Sequence, residues 1–189
     1  MTRKIPVILL STAFALTACQ NNNAAGNNMA AVDELNTVDT NMAAVGTTTA
    51  AATIDSDFLT DAIKGDNSEI AMGQLAQQMG SSQGVKDFGK TLATDHSAAK
   101  DQAAVLAQQA GLTVPTEMKD EAKAGIEKLK GLSGDAFDKA FVQMMIEDHK
   151  KDIAKFEKES EGNGQTAALA METLPTLQKH LEIAQSLAK

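Results

Sequence analysis

From Asp55 to the C-terminus, apolar residues recur at helical spacing, with no stretch of strict alternation and almost no β-branched clusters. That period marks amphipathic helices, and the Ala, Leu, Gln, Lys and Glu that dominate the stretch favour the same state. Ser56 or Asp57 is placed to cap a first helix running to about Gly80, and Ser81 or Ser82 a second ending near Gly111. Residues 112–132 form a crossover in which Thr113-Val114-Pro115-Thr116 opens a short helix and Gly131 closes it. Ser133 then caps a long helix to about Gly162, and Gln165 begins the last, which carries Pro175 inside it. A proline there removes a backbone donor and frees the Met171 carbonyl, so a kink or restart is expected. Two tight hairpins joined by one long crossover predict an all-α four-helix bundle over residues 55–189.

Polar residues interrupt the apolar stripes at matching places. At ~100° per residue, Glu69 falls near the middle of the stripe Phe58, Ala62, Met72 and Ala76. On the second helix, His96 and Asp95 flank the centre of Val85, Phe88, Leu92, Ala99, Ala103 and Leu106. On the long fourth helix, His149 lies among Phe141, Val142, Met145, Ile153 and Phe156, with Asp148 nearer the edge. His180 borders the last stripe, Ala170, Leu174, Leu177, Leu181 and Ala184, whereas Glu172 points away. The spacing Phe88-x6-Asp95-His96 recurs as Phe141-x6-Asp148-His149, so the two halves carry the same device. At ~1.5 Å per residue, Glu69 stands ~20 Å up its helix and His96 ~21 Å down the antiparallel one. His149 and His180 agree in height in the same way. Each long helix therefore brings an ionisable side chain to mid-height.

Burying such groups without partners costs roughly 2–7 kcal/mol each, which leaves two main readings. In one, Glu69, Asp95, His96, Asp148, His149 and His180 hold a transition metal ion. Neutral imidazoles with one or two carboxylates suit zinc, iron, manganese or copper. In the other, histidine and carboxylate form a hydrogen-bonded layer that sets the register of the bundle, in a non-catalytic structural or stress-related protein that binds a protein partner. A pH-responsive bundle, with histidines protonating near pH 6 and repelling one another, is a third possibility. Met72 and Met145, one turn from Glu69 and His149, are read as core packing. Asp95 and His96 diverge by ~100°, so any pairing of these types crosses between helices. No phosphate-binding loop, Ser-His-Asp arrangement or nucleotide fingerprint occurs, and no enzyme class is indicated.

The N-terminus speaks to location. Arg3 and Lys4 precede an apolar stretch from Ile5 to Leu16, and Leu16-Thr17-Ala18-Cys19 closes it with small residues before the single cysteine. The pattern is that of a secretory signal over residues 1–18, and the box resembles that of bacterial lipoproteins, which implies cleavage before Cys19 and lipid attached to it. The expected product is an envelope protein anchored to a membrane by acyl chains, with Gln20 favouring the outer membrane and a periplasmic face. Removing residues 1–18 takes away Arg3 and Lys4 and no acid, so the net charge moves from −8 to −10. An acidic chain without a basic cluster excludes nucleic acid as a partner. Residues 19–54 carry Asn21-Asn22-Asn23, Thr47-Thr48-Thr49 and a duplicated Asn-Met-Ala-Ala-Val at Asn28 and Asn41. Such a composition cannot form a core and is read as a lipidated flexible linker, with an r.m.s. span of ~30 Å.

Five motifs carry a resemblance. They are Ser68-Glu-Ile-Ala-Met-Gly-Gln-Leu-Ala76, Val85-Lys-Asp-Phe-Gly-Lys-x4-Asp95-His96, Gly134-x2-Phe137-Asp-x2-Phe141, Asp148-His149-Lys150 and Thr173-Leu-Pro-Thr-Leu177-x2-His180-Leu181. In this order they resemble the bacterial ferritin-like family called domain of unknown function 4142. The resemblance implies a ferritin-like four-helix bundle, commonly secreted or lipid-anchored, and no established activity. Ferritin-like carboxylate proteins carry Glu-x-x-His on two helices. This chain has no such motif and neither Tyr nor Trp, which argues against di-iron oxidation chemistry.

Overall fold

In the computed structural model, residues 53–189 are described. Cys19, the signal segment and nearly all of the linker lie outside the described residues. Five helices follow one another: α1 Ser56–Met79, α2 Gln83–Gln109, α3 Asp120–Lys130, α4 Gly134–Ser160 and α5 Gln165–Leu187. No strand occurs among the described residues, and no helix there is long and apolar enough to cross a membrane. The fold is the all-α helical bundle that the periodicity predicts. Hairpins α1–α2 and α4–α5 pack α2 against α5 and α1 against α4, while α3 lies on α1 and α4.

The helix starts show where local signals were sufficient. Ser82 accepts the Val85 amide at the head of α2, as its position predicts. The cap of α1 is Asp55 rather than Ser56 or Asp57, with its carboxylate accepting from Phe58 N at 2.9 Å. One residue further out, Asp55 sits where a short acceptor reaches the third amide of the first turn. Ser133 precedes α4 but makes no side-chain capping bond. Instead, Asp138 in the second turn of α4 turns its carboxylate on the α1–α2 connection and accepts the Ser81 and Ser82 amides at 2.7 and 2.8 Å. Partial burial raises the Asp138 carboxyl, but those amides outweigh it and hold the pKa below the ordinary value.

The crossover departs from its expected form. Thr113 to Thr116 do not open a helix; α3 begins only at Asp120 and ends, as predicted, before Gly131. Contacts to α1 hold the extended part. Asn67 Nδ2 donates to the carbonyls of Pro115 and Glu117, at 3.2 and 3.1 Å, and Ser68 Oγ accepts the Lys119 amide at 3.0 Å. Backbone groups engaged in this way are satisfied without a helix. Pro175 does not divide α5, which is continuous around it; the proline is exposed.

Two apolar clusters flank the mid-height of the bundle. One joins the second half of α1 to the first halves of α2 and α4 through Met72, Phe88, Phe137 and Phe141, with α3 against it. The other gathers Phe58, Leu59 and Ile63 with Ala103 and Leu169 at the opposite end. Between them α1 is buried through Asp66, Asn67, Ser68 and Glu69. At the end nearer the first cluster, α1 and α2 touch through glycine: a Cβ on Gly73 would stand 2.5 Å from the Gly89 carbonyl oxygen, and one on Gly89 2.6 Å from that of Gly73. Backbone meets backbone there, which sets how closely the two helices, and the side chains they carry, can approach.

Candidate metal centre

Three buried imidazoles meet in the polar layer. His96 on α2, His149 on α4 and His180 on α5 are 4%, 1% and 0% exposed. Their ring centroids stand 5.3–5.9 Å apart. His180, expected at the border of its stripe, is fully inside, because α2 packs over that side of α5.

Each ring is oriented by a partner on one nitrogen. His149 Nδ1 lies 2.9 Å from the Met145 carbonyl, which can only accept, so Nδ1 carries the proton and Nε2 the lone pair. His96 Nδ1 lies 2.9 Å from Asp66 Oδ1, and donating to that carboxylate leaves Nε2 free. His96 Nε2 is buried and has no partner. His180 Nε2 stands 2.9 Å from Asp95 Oδ2. Donating there leaves His180 Nδ1 as a lone pair facing His149 Nε2 at 3.3 Å. With both rings neutral, that contact sets lone pair against lone pair. The three imidazoles can each offer one nitrogen such that all lie within 4.8 Å of one another.

Carboxylates divide between two roles. Asp95, expected among the ligands, orients His180 from outside the cluster. Asp66 does the same for His96. The sequence reading missed it because Glu69, one turn along the same face, accounted for the polar position on the stripe. The signal was present in Asp66-Asn67-Ser68-Glu69, four polar residues in succession that the crossover covers on a second side. Glu69 is buried beside the rings, with Oε1 4.0 Å from His149 Nδ1 and Oε2 without a partner. That approach is no ion pair, since His149 is neutral and its Nδ1 proton is engaged by Met145. Asp148 is half-buried and pairs with Lys151 at 3.8 Å. It lines a cleft of about 140 Å³ whose wall also includes Glu69. Glu172 is exposed, and Met72 and Met145 are packed in the core.

Electrostatics follow from burial. Desolvation, aided by the charges of His96 and His180, pushes His149 down to about 3. Burial likewise depresses His180 against the opposing hydrogen bond of Asp95. Burial disfavours the proton on His96, but the Asp66 hydrogen bond and the charges of Glu69 and Asp66 leave its pKa raised. Burial lifts Glu69 to about 7. The three imidazoles are therefore shifted in different directions, His96 up and His149 and His180 down.

These shifts set a pH profile for the metal-free domain. His149 is depressed, so below ~6.5 the unfolded chain binds its proton first and stability is lost as pH falls. Glu69 is raised, so between its ordinary value of 4.5 and about 7 the folded chain binds the extra proton and stability is gained as pH falls. The two oppose one another from about pH 6.5 to 4.5. The thermal unfolding midpoint of metal-free protein, followed from pH 7 to 4.5, should therefore fall less steeply than it does without Glu69. Glu69→Gln, which cannot take up that proton, should lose stability throughout the window. Parallel profiles for the two proteins would refute this assignment.

Comparison with known proteins adds one match. A family model described as "Domain of unknown function (DUF4142)" covers residues 40–187, in agreement with the motifs along the helices. No curated protein and no solved structure matches the chain. This chain of buried histidines and their carboxylate partners thus belongs to the DUF4142 family.

Proposed function

We propose that the bundle holds one divalent transition-metal ion at His96, His149 and His180, with Glu69 as a carboxylate ligand, and that Cys19 tethers it by lipid to the bacterial envelope. The observation that carries the metal reading is the set of buried ring and carboxylate atoms left without a partner. His96 Nε2 and Glu69 Oε2 are buried without a partner, and the lone pairs of His149 and His180 face each other at 3.3 Å. A cation among the imidazoles takes up their three inward nitrogens, which lie within 4.8 Å of one another, and Glu69 stands just outside that group and reaches the ion by turning its carboxylate inward. With metal–nitrogen bonds of 2.0–2.1 Å, two ligands of a tetrahedral ion stand ~3.3–3.4 Å apart, matching the His149–His180 distance. The outward nitrogens meet Asp66, Met145 and Asp95, the kind of support that fixes tautomer and ring direction in metal sites. A layer serving only to set register is expected to pair its buried polar atoms, as most buried polar groups in folded proteins are.

Imidazole-rich donors without thiolate favour zinc, iron or copper over manganese. The reading is of an ion held for storage, sensing or structure. The cavity touching His96 measures about 10 Å³, room for about one water and not for an organic substrate.

The experiment is metal content of a soluble fragment, residues 53–189, purified without chelator or histidine tag. Near-stoichiometric metal is expected in the parent and none in the His96→Ala/His149→Ala double variant. No metal in either, with none gained after incubation with iron, zinc, manganese or copper, would sink the proposal and turn the search to protein partners in the envelope.

A further inference from the structure

Among the described residues of the crossover, Lys119 lines both the open cleft and the small cavity at His96, and its position is built. Gly65 of α1 leaves room for it: a Cβ there would lie 3.3 Å from Lys119 Nζ and 3.4 Å from Cε. Two carboxylates from different helices hold the ammonium, Asp61 of α1 at 3.2 Å and Asp152 of α4 at 3.4 Å. The backbone of Lys119 is fixed through its amide to Ser68. Lys119 also lines two cavities at once. One is the open cleft of about 140 Å³, whose wall carries the carboxylates of Glu69, Glu121, Asp148 and Asp152 and the ammonium groups of Lys151 and Lys155. The other is the 10 Å³ cavity that reaches His96 and Asp66.

An acidic cleft alone identifies nothing, but this one contains a buried group aimed at a ligand: Glu69, 3% exposed, with Oε2 unpartnered. Glu69 thus belongs to both the cleft wall and the histidine cluster. The layout is graded. Carboxylates at the mouth attract a cation, Glu69 offers the first dehydrating oxygen, and the imidazole nitrogens lie behind it. An ammonium lodged between Asp61 and Asp152 occupies the charge position that an incoming divalent ion needs.

We infer that this cleft is the cation's access route to the histidine cluster and that Lys119 is its displaceable plug. The inference rests on the metal reading above. In it, the arriving ion takes over Asp152 and competes with Lys155 for Asp61, the Lys119 ammonium swings out to solvent, and it returns once the ion has moved inward. A plug of this kind governs rates of uptake and loss more than final affinity.

The test uses Co²⁺, whose visible absorption reports a bound nitrogen-rich site, on full-length protein. Uptake is followed by stopped flow, release by excess chelator, and equilibrium affinity by competition. Lys119→Met, with Lys119→Gln as a second variant, should accelerate both uptake and release by about tenfold, the scale of losing two partly exposed ion pairs. Lys64→Met is the charge control. Lys64 pairs with Glu117 at 2.8 Å and lines neither cavity, so removing it lowers positive charge nearby without unplugging the cleft. If wild-type protein binds Co²⁺ but both Lys119 variants match wild type or the Lys64 control in both rates, the plug is refuted and the metal site stands. If wild-type protein binds no Co²⁺ at equilibrium, the metal reading falls and this inference falls with it.

Discussion

Gly73→Ala is expected to destabilise the domain by about 2 kcal/mol, although alanine is the better helix former. The added methyl would stand 2.5 Å from the Gly89 carbonyl oxygen and 3.0 Å from the Ala93 amide nitrogen. Both are backbone atoms inside α2, so relief requires the helices to move apart. Overpacking of this kind costs about 1–3 kcal/mol or more, against a gain of about 1 kcal/mol from helix propensity. Gly125→Ala provides the contrast. Its methyl meets Met144 Sδ at 2.8 Å, the flexible end of a partly buried side chain that can turn aside. That substitution should be near neutral. Urea unfolding at constant m-value measures both, and equal losses at the two positions would show that the Gly73–Gly89 contact is not special. Separation of α1 from α2 would also carry Asp66 away from His96, so Gly73→Ala should weaken metal retention at a distance.

Asp66→Ala is expected to reduce metal affinity by about 10–100-fold while leaving every proposed ligand in place, as loss of an orienting partner does in metal sites. The physical cause is the 2.9 Å bond to His96 Nδ1. Without it the ring is free to rotate or to change tautomer, and a buried N–H loses its acceptor. Asp66→Asn, whose side-chain oxygen still accepts, should fall between the two. Asp148→Ala is the decisive comparison, since the sequence placed Asp148 among the candidate ligands and the structure sets it on the cleft wall beside Lys151. Chelator competition should show at most a small loss for Asp148→Ala. An equal or larger loss there than at Asp66 would overturn the division of carboxylates described above.

These contrasts mark how far the sequence reaches. His96, His149, His180 and Glu69 were all legible as polar positions on or beside apolar stripes, because a helix betrays its own buried face through its own period. Their common height followed from the rise per residue. The roles of the aspartates were not legible. Asp95 and Asp148 occupy equivalent places in a repeated motif, yet one bonds to His180 and the other to Lys151. The difference arises from what lies opposite each: α5 stands against α2 at Asp95, whereas the outer side of α4 at Asp148 opens on the cleft. Asp66 escaped notice for a related reason. Its partner, His96, lies on another helix, and periodicity reports one face of one helix.

The sequence by itself determined the helices, their order, the mid-height polar belt and the DUF4142 motifs, because capping, propensity and hydrophobic period act over a few residues along one chain. Only the tertiary structure decided that Asp66 bonds to His96 and Asp95 to His180, which ring nitrogens those bonds leave facing inward, and that Lys119 lies across Gly65. Those outcomes depend on the rotation and approach of one helix against another. Contacts far apart in the chain set them, among them the Gly73–Gly89 backbone touch and the crossover tied to Asn67 and Ser68.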